Sequence, residues 1–327
     1  MRGIAVPGIA IQIPVIGFGC STLSSVGEKN ALELLGTAFD AGVRHFDVAR
    51  YYGYGDAEGM LGTFVKSRRV EVTITTKFGI QPPRRTHALR FALQAGRQLM
   101  RLVPCARSYM RRRAQGLVKG GGFSLKEARE SLETSLRELG TDYIDFYLLH
   151  DYTVSEHSSD ELAGFLMDNV KAGKIRYFGI GTGIDNVLRA LERQPELCTI
   201  LQFENSVLRR NMDKLPQGRP DRLTITHGAL SASYRSVSAF LKAYSQLARN
   251  WSAKLGLDCS NDDTISALML NYAVQANQNG LALFSSKNAF RVSKNVKAVL
   301  EPGVSPAQVA LFGELVERDL MPSMLVE

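Results

Sequence analysis

The feature that most limits what this chain can fold into is a rhythm. Short β-rich runs alternate with stretches whose apolar residues recur at helical spacing, over nearly all of its 327 residues. Val15-Ile-Gly-Phe-Gly reads as a first buried strand, His45-Phe-Asp-Val-Ala as a second and Val72-Thr-Ile-Thr-Thr-Lys as a third. Tyr143 to His150, Arg176 to Ile180, Thr199 to Phe203, Leu223 to Thr226 and Leu281 to Phe284 bring the series to eight. Helical patterns fall between them at 28–41, 58–66, 124–139, 161–172, 186–193, 237–256 and 263–277, and two more, 290–300 and 305–318, close the chain. Ser124 followed three residues later by Glu127 has the pattern of a capping box. Ahead of the series, the Pro7-Gly8 turn predicts an N-terminal β-hairpin. Eight βα units in a row point to an α/β fold of the (β/α)8 TIM-barrel type, although an open doubly wound sheet has the same local signature. In either architecture functional residues lie at the carboxyl ends of the strands.

Charge needs one distinction before function is considered. The chain carries 40 Lys and Arg against 32 Asp and Glu, a net charge of +8. Ten of those basic residues and no acidic one lie between Gln81 and Gly122, which leaves 30 against 32 elsewhere, a net of −2. The excess belongs to one segment, so a surface for nucleic acid across the whole domain is not expected. The four cysteines (Cys20, Cys105, Cys198, Cys259) are widely spaced, without a CxxC pair, which argues against a zinc site or a disulfide framework. Pro7, Gln12, Pro14 and Gly17 interrupt the apolar run before Cys20, against a lipoprotein signal, and no stretch of about 20 apolar residues exists. The expectation is one cytoplasmic domain over residues 1–327, without a metal site.

Four polar residues pass the strand-end filter: Asp47 in the second strand, Tyr52 in the loop after it, Lys77 ending the third and His150 ending the fourth. Taken singly, each has an ordinary structural explanation, as a cap, a solvated terminus or a backbone-satisfied imidazole. Their joint placement on consecutive strands is what carries weight. A Lys beside a Tyr favours the phenolate and lowers the phenol pKa, while an Asp in contact keeps that Lys charged despite desolvation. With a His to orient a substrate oxygen, the set makes a proton donor for a carbonyl that gains negative charge as hydride arrives.

These residues also carry a resemblance. HFDVARYYGYGDAEGMLG is similar to the first signature of the aldo/keto reductase family, TITTKFG to its lysine strand and LGTDYIDFYLLH to its histidine strand. The resemblance implies a barrel enzyme with Tyr52 as general acid, Lys77 and Asp47 as its tuning pair and His150 as substrate orienter. GKIRYFGIGTG resembles the segment that normally continues with a Ser-Asn pair for the nicotinamide carboxamide; here those positions are Gly181 and Thr182. Gln202 matches the next carboxamide contact. His227 takes the place of a Tyr that stacks on the ring, or else is simply a loop residue. FSSKNAFRVSKNVKAV resembles the segment for the adenosine half of the cofactor, which implies roles for Ser286, Lys287, Arg291 and Asn295 and favours NADP(H) over NAD(H). The Gly-x-Gly-x-x-Gly fingerprint of a Rossmann fold follows none of the strands, in keeping with a cofactor held on barrel loops.

Residues 80–122 break the rhythm after the third strand. Arg84, Arg85, Arg90, Arg97, Arg101, Arg107, Arg111, Arg112, Arg113 and Lys119 share this insertion with an amphipathic stretch around Leu89 to Val103. A lid on the substrate pocket or a solvated excursion is favoured over docking to a partner or contact with a membrane surface. The sequence thus predicts an oxidoreductase, monomeric by family default, that interconverts an aldehyde, ketone or aldose and the corresponding alcohol or lactone. The competing reading is a cofactor-binding regulatory subunit of the same family with little turnover. The run from Tyr52 to Glu58 looks most like members acting on sugars.

Overall fold

A computed structural model describes residues 3–82, 122–154, 160–216 and 222–322. All but the ends of the basic insertion, including its ten charges, lies outside the described residues.

The eight expected runs form a closed parallel barrel. Its strands are β3 (Ile16–Gly19), β4 (His45–Asp47), β5 (Thr73–Phe78), β6 (Ile144–His150), β7 (Ile175–Gly181), β8 (Ile200–Glu204), β9 (Leu223–His227) and β10 (Gly280–Phe284), with β10 pairing β3 to close the ring. The predicted hairpin is present as β1 (Gly3–Ile4) and β2 (Ile13–Pro14), paired antiparallel. The Tyr177 hydroxyl donates to Pro7 O at 2.5 Å, tying the hairpin to the barrel. Side chains of Ile13, Phe146, Leu148, Ile200, Ile225, Leu281 and Leu283 share one core cluster.

Period two along the strands decides what faces inward. On β5, Thr73 and Thr75 meet the imidazole of His45 on β4, so Lys77 and Asp47, two residues further along each strand, share that inner face. Thr76 lies on the opposite face and meets the helix behind the strand.

Helices α1 (Glu28–Asp40), α2 (Ala57–Val65), α3 (Leu125–Leu139), α4 (Asp160–Lys171) and α5 (Ile184–Arg193) follow the first strands. The capping box at the start of α3 is formed: Glu127 N–H donates to Ser124 Oγ, and the Glu127 carboxylate accepts from Ser124 N–H. The helix expected over 237–256 is corrected. It is two helices, α6 (Ser231–Ala243) and α7 (Ser245–Leu255), broken at Tyr244, whose φ of −113° and ψ of 67° are not helical. Tertiary packing explains the break. Val237 and Leu241 from α6 join Ala248, Trp251 and Leu255 from α7 in a second core cluster, and a straight helix would turn part of that apolar surface away. Helices α8 (Asp262–Ala276), α9 (Ala289–Leu300) and α10 (Pro306–Leu315) complete the outer layer. None of the helices among the described residues is long and apolar enough to cross a membrane.

The amino end of β4 places a titratable group, His45, inside the barrel. His45 is fully buried, its Nδ1 2.9 Å from Thr73 Oγ1 and its Nε2 3.2 Å from Thr75 Oγ1. Burial lowers its pKa to about 4, with the Asp47 carboxylate opposing and the Lys77 ammonium reinforcing that shift. The folded state therefore binds fewer protons than the unfolded chain between pH about 6.5 and 4. Stability is full above that window and falls as pH drops through it, by about 3 kcal/mol from this residue. Urea unfolding at pH 7 and at pH 4.5 tests this. The His45→Gln variant is expected to lose less stability between the two than the parent, and an equal loss would refute the assignment.

Candidate active site

At the carboxyl end of the barrel the four predicted residues come together. Lys77 is 2% exposed and donates from Nζ to Asp47 Oδ1 at 2.5 Å and to Val48 O at 3.2 Å. Its Nζ lies 5.2 Å from the centroid of the Tyr52 ring, near enough for the ammonium to act on the phenol. The Tyr52 and His150 rings meet edge to face, centroids 5.9 Å apart. Asp47, Tyr52 and His150 line a cavity of about 360 Å³, while Lys77 stands behind them.

Burial and neighbours sort the protonation states. Burial pushes the Lys77 pKa down, but the Asp47 carboxylate and Tyr52 more than offset it, and the net direction is up. Burial raises the Tyr52 pKa, and Lys77 only partly counters this. The expected net lowering of the phenol is thus not seen: desolvation of the phenolate prevails, and the Asp47 carboxylate opposes the field of the ammonium. Burial, with Lys77 and His227 adding to it, lowers His150 to about 3, so its imidazole is neutral at physiological pH.

Of the residues expected to meet a cofactor, Thr182, Gln202 and His227 line the cavity. Gln202 is 4% exposed and does something the sequence did not disclose: its Nε2 donates to Asp47 Oδ2 at 2.7 Å. Both carboxylate oxygens of Asp47 are thereby engaged, one by the ammonium and one by the amide. A Cβ on Gly181 would come within 3.1 Å of Gln202 Oε1, so the missing side chain leaves room for that amide beside the cavity. Ser286, Lys287, Arg291 and Asn295 are not among the cavity-lining residues. They sit on the loop after β10 and on α9, next to Phe284 and Ser285, which do line it. Asn288 caps α9 by accepting from Arg291 N–H at 3.0 Å.

Sequence reasoning missed several lining residues, among them Ser21, Asp151, Glu204 and Ser231. Asp151 follows His150 directly and adopts φ +53°, an uncommon backbone state for a residue with a Cβ. Its N–H donates to Gly181 O at 2.7 Å. Glu204 ends β8 and pairs with Arg209 at 3.0 Å. A polar residue two places beyond Gln202 on the same strand was the available signal.

The sequence model of the Aldo/keto reductase family matches residues 15–216, and the chain belongs to that family. Aldo-keto reductase yakc [NADP(+)] of Schizosaccharomyces pombe is 28% identical over 244 residues, 70% of this chain and 63% of that protein. L-galactose dehydrogenase of Arabidopsis thaliana is 25% identical over 321 residues, covering 91% of this chain and 88% of the relative. Against others the match is shorter: the chain spans 57% of an uncharacterized oxidoreductase, YqkF, of Bacillus subtilis. Among solved structures, an aldo-keto reductase from Klebsiella pneumoniae in complex with NADPH superposes with a TM-score of 0.65 at 19% identity, over 97% of this chain and 95% of that one.

The Lys77–Asp47 pair generates a stability prediction. Removing one partner of a buried pair strands the other charge, at a cost of about 3–5 kcal/mol. Asp47→Asn is expected to lose stability on that scale at pH 7 in urea unfolding, and Asp47→Asn combined with Lys77→Met to recover much of it. A single variant as stable as the parent would show that the pair is not buried in solution.

Proposed function

We propose that this chain is an NADP(H)-dependent oxidoreductase that interconverts an aldehyde, ketone or aldose and the corresponding alcohol or lactone, with Tyr52 as general acid. We read it as a single cytoplasmic barrel domain that acts as a monomer. The observation that carries the reading is the hydrogen-bonded series Gln202–Asp47–Lys77, with the Lys77 ammonium 5.2 Å from the centroid of the Tyr52 ring at a cavity that Tyr52 and His150 both line.

The donor set fits a nicotinamide cofactor. Gln202 Oε1 and Thr182 offer polar atoms beside the space left by Gly181, and His227 offers an imidazole face. Ser286 and Lys287 precede α9, Arg291 lies in its first turn and Asn295 further along it, and the basic side chains at this helix entry suit a phosphate. A bound nicotinamide would supply or accept the hydride. The chain's own residues handle the proton and the developing charge. The Tyr52 hydroxyl, protonated at neutral pH, donates toward a carbonyl oxygen, and the Lys77 ammonium stabilises the phenolate left behind. Asp47 keeps Lys77 charged through the cycle. Neutral His150 can donate one hydrogen bond to the same oxygen and fix its position.

The cavity lining supports a hydroxyl-bearing substrate. Ser21, Asp151, Glu204 and Ser231 offer acceptors and donors around the space, and the plant relative is named as an L-galactose dehydrogenase.

Two outcomes are expected when NADPH oxidation is followed with a panel of aldehydes and aldoses. Tyr52→Phe should lower turnover by about 100-fold or more while cofactor fluorescence quenching persists. Reduction should stay flat through neutral pH and fail only on the alkaline side, because burial holds Tyr52 protonated there and His150 neutral down to about pH 3. Full activity in Tyr52→Phe would remove the tyrosine from the role. Quenching without tyrosine-dependent turnover in the parent would favour the regulatory reading.

A further inference from the structure

Behind the site lies a second buried charge with no part in the chemistry so far. Glu58, in the first turn of α2, is fully buried. Its Oε2 accepts from Arg50 Nη1 at 2.8 Å and its Oε1 from Thr76 Oγ1 at 2.7 Å. Arg50 N–H in turn donates to Lys77 O at 3.3 Å. These bonds close a ring: from the outer face of β5 at Thr76, through the Glu58 carboxylate and the Arg50 guanidinium, back to β5 at Lys77.

Tyr52 hangs within that ring, two residues after Arg50 and six before Glu58. The chain between them is not relaxed. Gly53 and Tyr54 both adopt left-handed dihedrals, φ 62° and 60°. For Tyr54 that costs about 1–2 kcal/mol. A Cβ on Gly53 would come within 2.3 Å of Ser24, so this turn is also pressed against the preceding loop. A fully buried carboxylate is likewise costly, and an apolar residue of similar size is often no less stable in such a place. The arrangement spends stability on holding both ends of the tyrosine loop to the strand that carries Lys77.

We propose that Glu58, acting through Arg50 and Thr76, is a positioning residue that fixes the Tyr52 hydroxyl against the Lys77 ammonium. The inference rests on Tyr52 being the acid. If the clamp sets that contact, loosening it reduces the rate of the chemical step without loosening cofactor or substrate. A purely structural ion pair would change the folded fraction alone.

Glu58→Gln keeps the size of the side chain but turns an amide donor toward a guanidinium that also donates. The expected result is a kcat lower by about 10- to 100-fold, the scale of a small misplacement at a reacting group, with KM and NADPH quenching unchanged. The alkaline limb of the kcat profile should also move, because the Tyr52–Lys77 contact sets it. Thr76→Val should show the same signature more weakly, and Thr76→Ser, which keeps the hydroxyl, should restore the parent's behaviour. Asp145→Asn serves as the structural comparison. Asp145 is fully buried at the amino end of β6 and accepts from Arg69 at 2.7 Å and Arg176 at 2.9 Å, so its loss should lower stability and leave kcat per folded molecule alone. Should Glu58→Gln fail to fold, the Thr76 pair decides. Parent kcat and an unmoved alkaline limb in folded Glu58→Gln and Thr76→Val, or in Thr76→Val alone, overturn the clamp. Tyr52→Phe run alongside separates the two readings: inactive Tyr52→Phe with unaffected clamp variants sinks only the clamp, whereas active Tyr52→Phe sinks the tyrosine's role itself.

Discussion

The Lys77 ammonium has left water for the mouth of a β-barrel, and much of the site's arrangement follows from keeping it charged there. Desolvation of an ammonium costs several kcal/mol, which a carboxylate at hydrogen-bond distance can return only if its own remaining lone pairs are satisfied. Asp47 meets that condition because Gln202 takes its second oxygen at 2.7 Å. The geometry is a property of the closed barrel. Asp47 and Lys77 lie on neighbouring strands, but Gln202 comes from β8, on another part of the ring, and only closure turns all three inward to one point. An open sheet would leave the carboxylate half-paired.

The barrel divides its labour between its two ends and its two strand faces. The amino end is built for cohesion, with the hairpin tied by Tyr177 and with Arg69 and Arg176 converging on Asp145. At the carboxyl end the inner face of β5 presents Lys77 and its outer face presents Thr76 to α2. One strand thus carries the charged group inward and anchors the following helix outward. The left-handed Tyr54 lies in the loop that carries the phenol and the buried Glu58 beside it, while at the amino end Asp145 is buried just as fully between two guanidinium partners.

What could be read from the sequence was whatever local periodicity writes down. Alternation along Thr73 to Lys77 and along His45 to Asp47 puts the polar ends on one face, and the spacing of Tyr52 and His150 from their strands does the rest. The capping box at Ser124 is a four-residue pattern and is equally local. What stayed hidden depends on closure or on long-range packing. The bond from Gln202 to Asp47 joins residues 155 apart in the chain. The break at Tyr244 has neither Gly nor Pro to announce it and arises because two helices share one apolar cluster around Trp251. Asp151 lies in the left-handed region for want of any local turn signal, drawn there with its N–H bonded to Gly181 O. The net direction of the Tyr52 pKa could not be read either, because it is the balance of burial against a neighbouring charge, and sequence shows the neighbour but not the burial.

That balance gives the cavity its chemical character. Burial raises Tyr52 and lowers His150 and His227. Lys77 alone of these holds its charge, because it alone has a carboxylate in contact. Among the described residues, the result is a fixed cation behind the wall, with a neutral phenol and two neutral imidazoles in front of it beside the side chains of Asp151 and Glu204. A second cation in the wall would bind an anion as readily as a carbonyl, and a charged imidazole would compete with Tyr52 as the proton donor. With both imidazoles neutral, the proposed acid is the phenol hydroxyl, whose conjugate base the ammonium can stabilise. On the proposed reading, selection of the proton donor is a consequence of where the counter-charge sits, and Lys77 is the cation that Asp47 holds in direct contact.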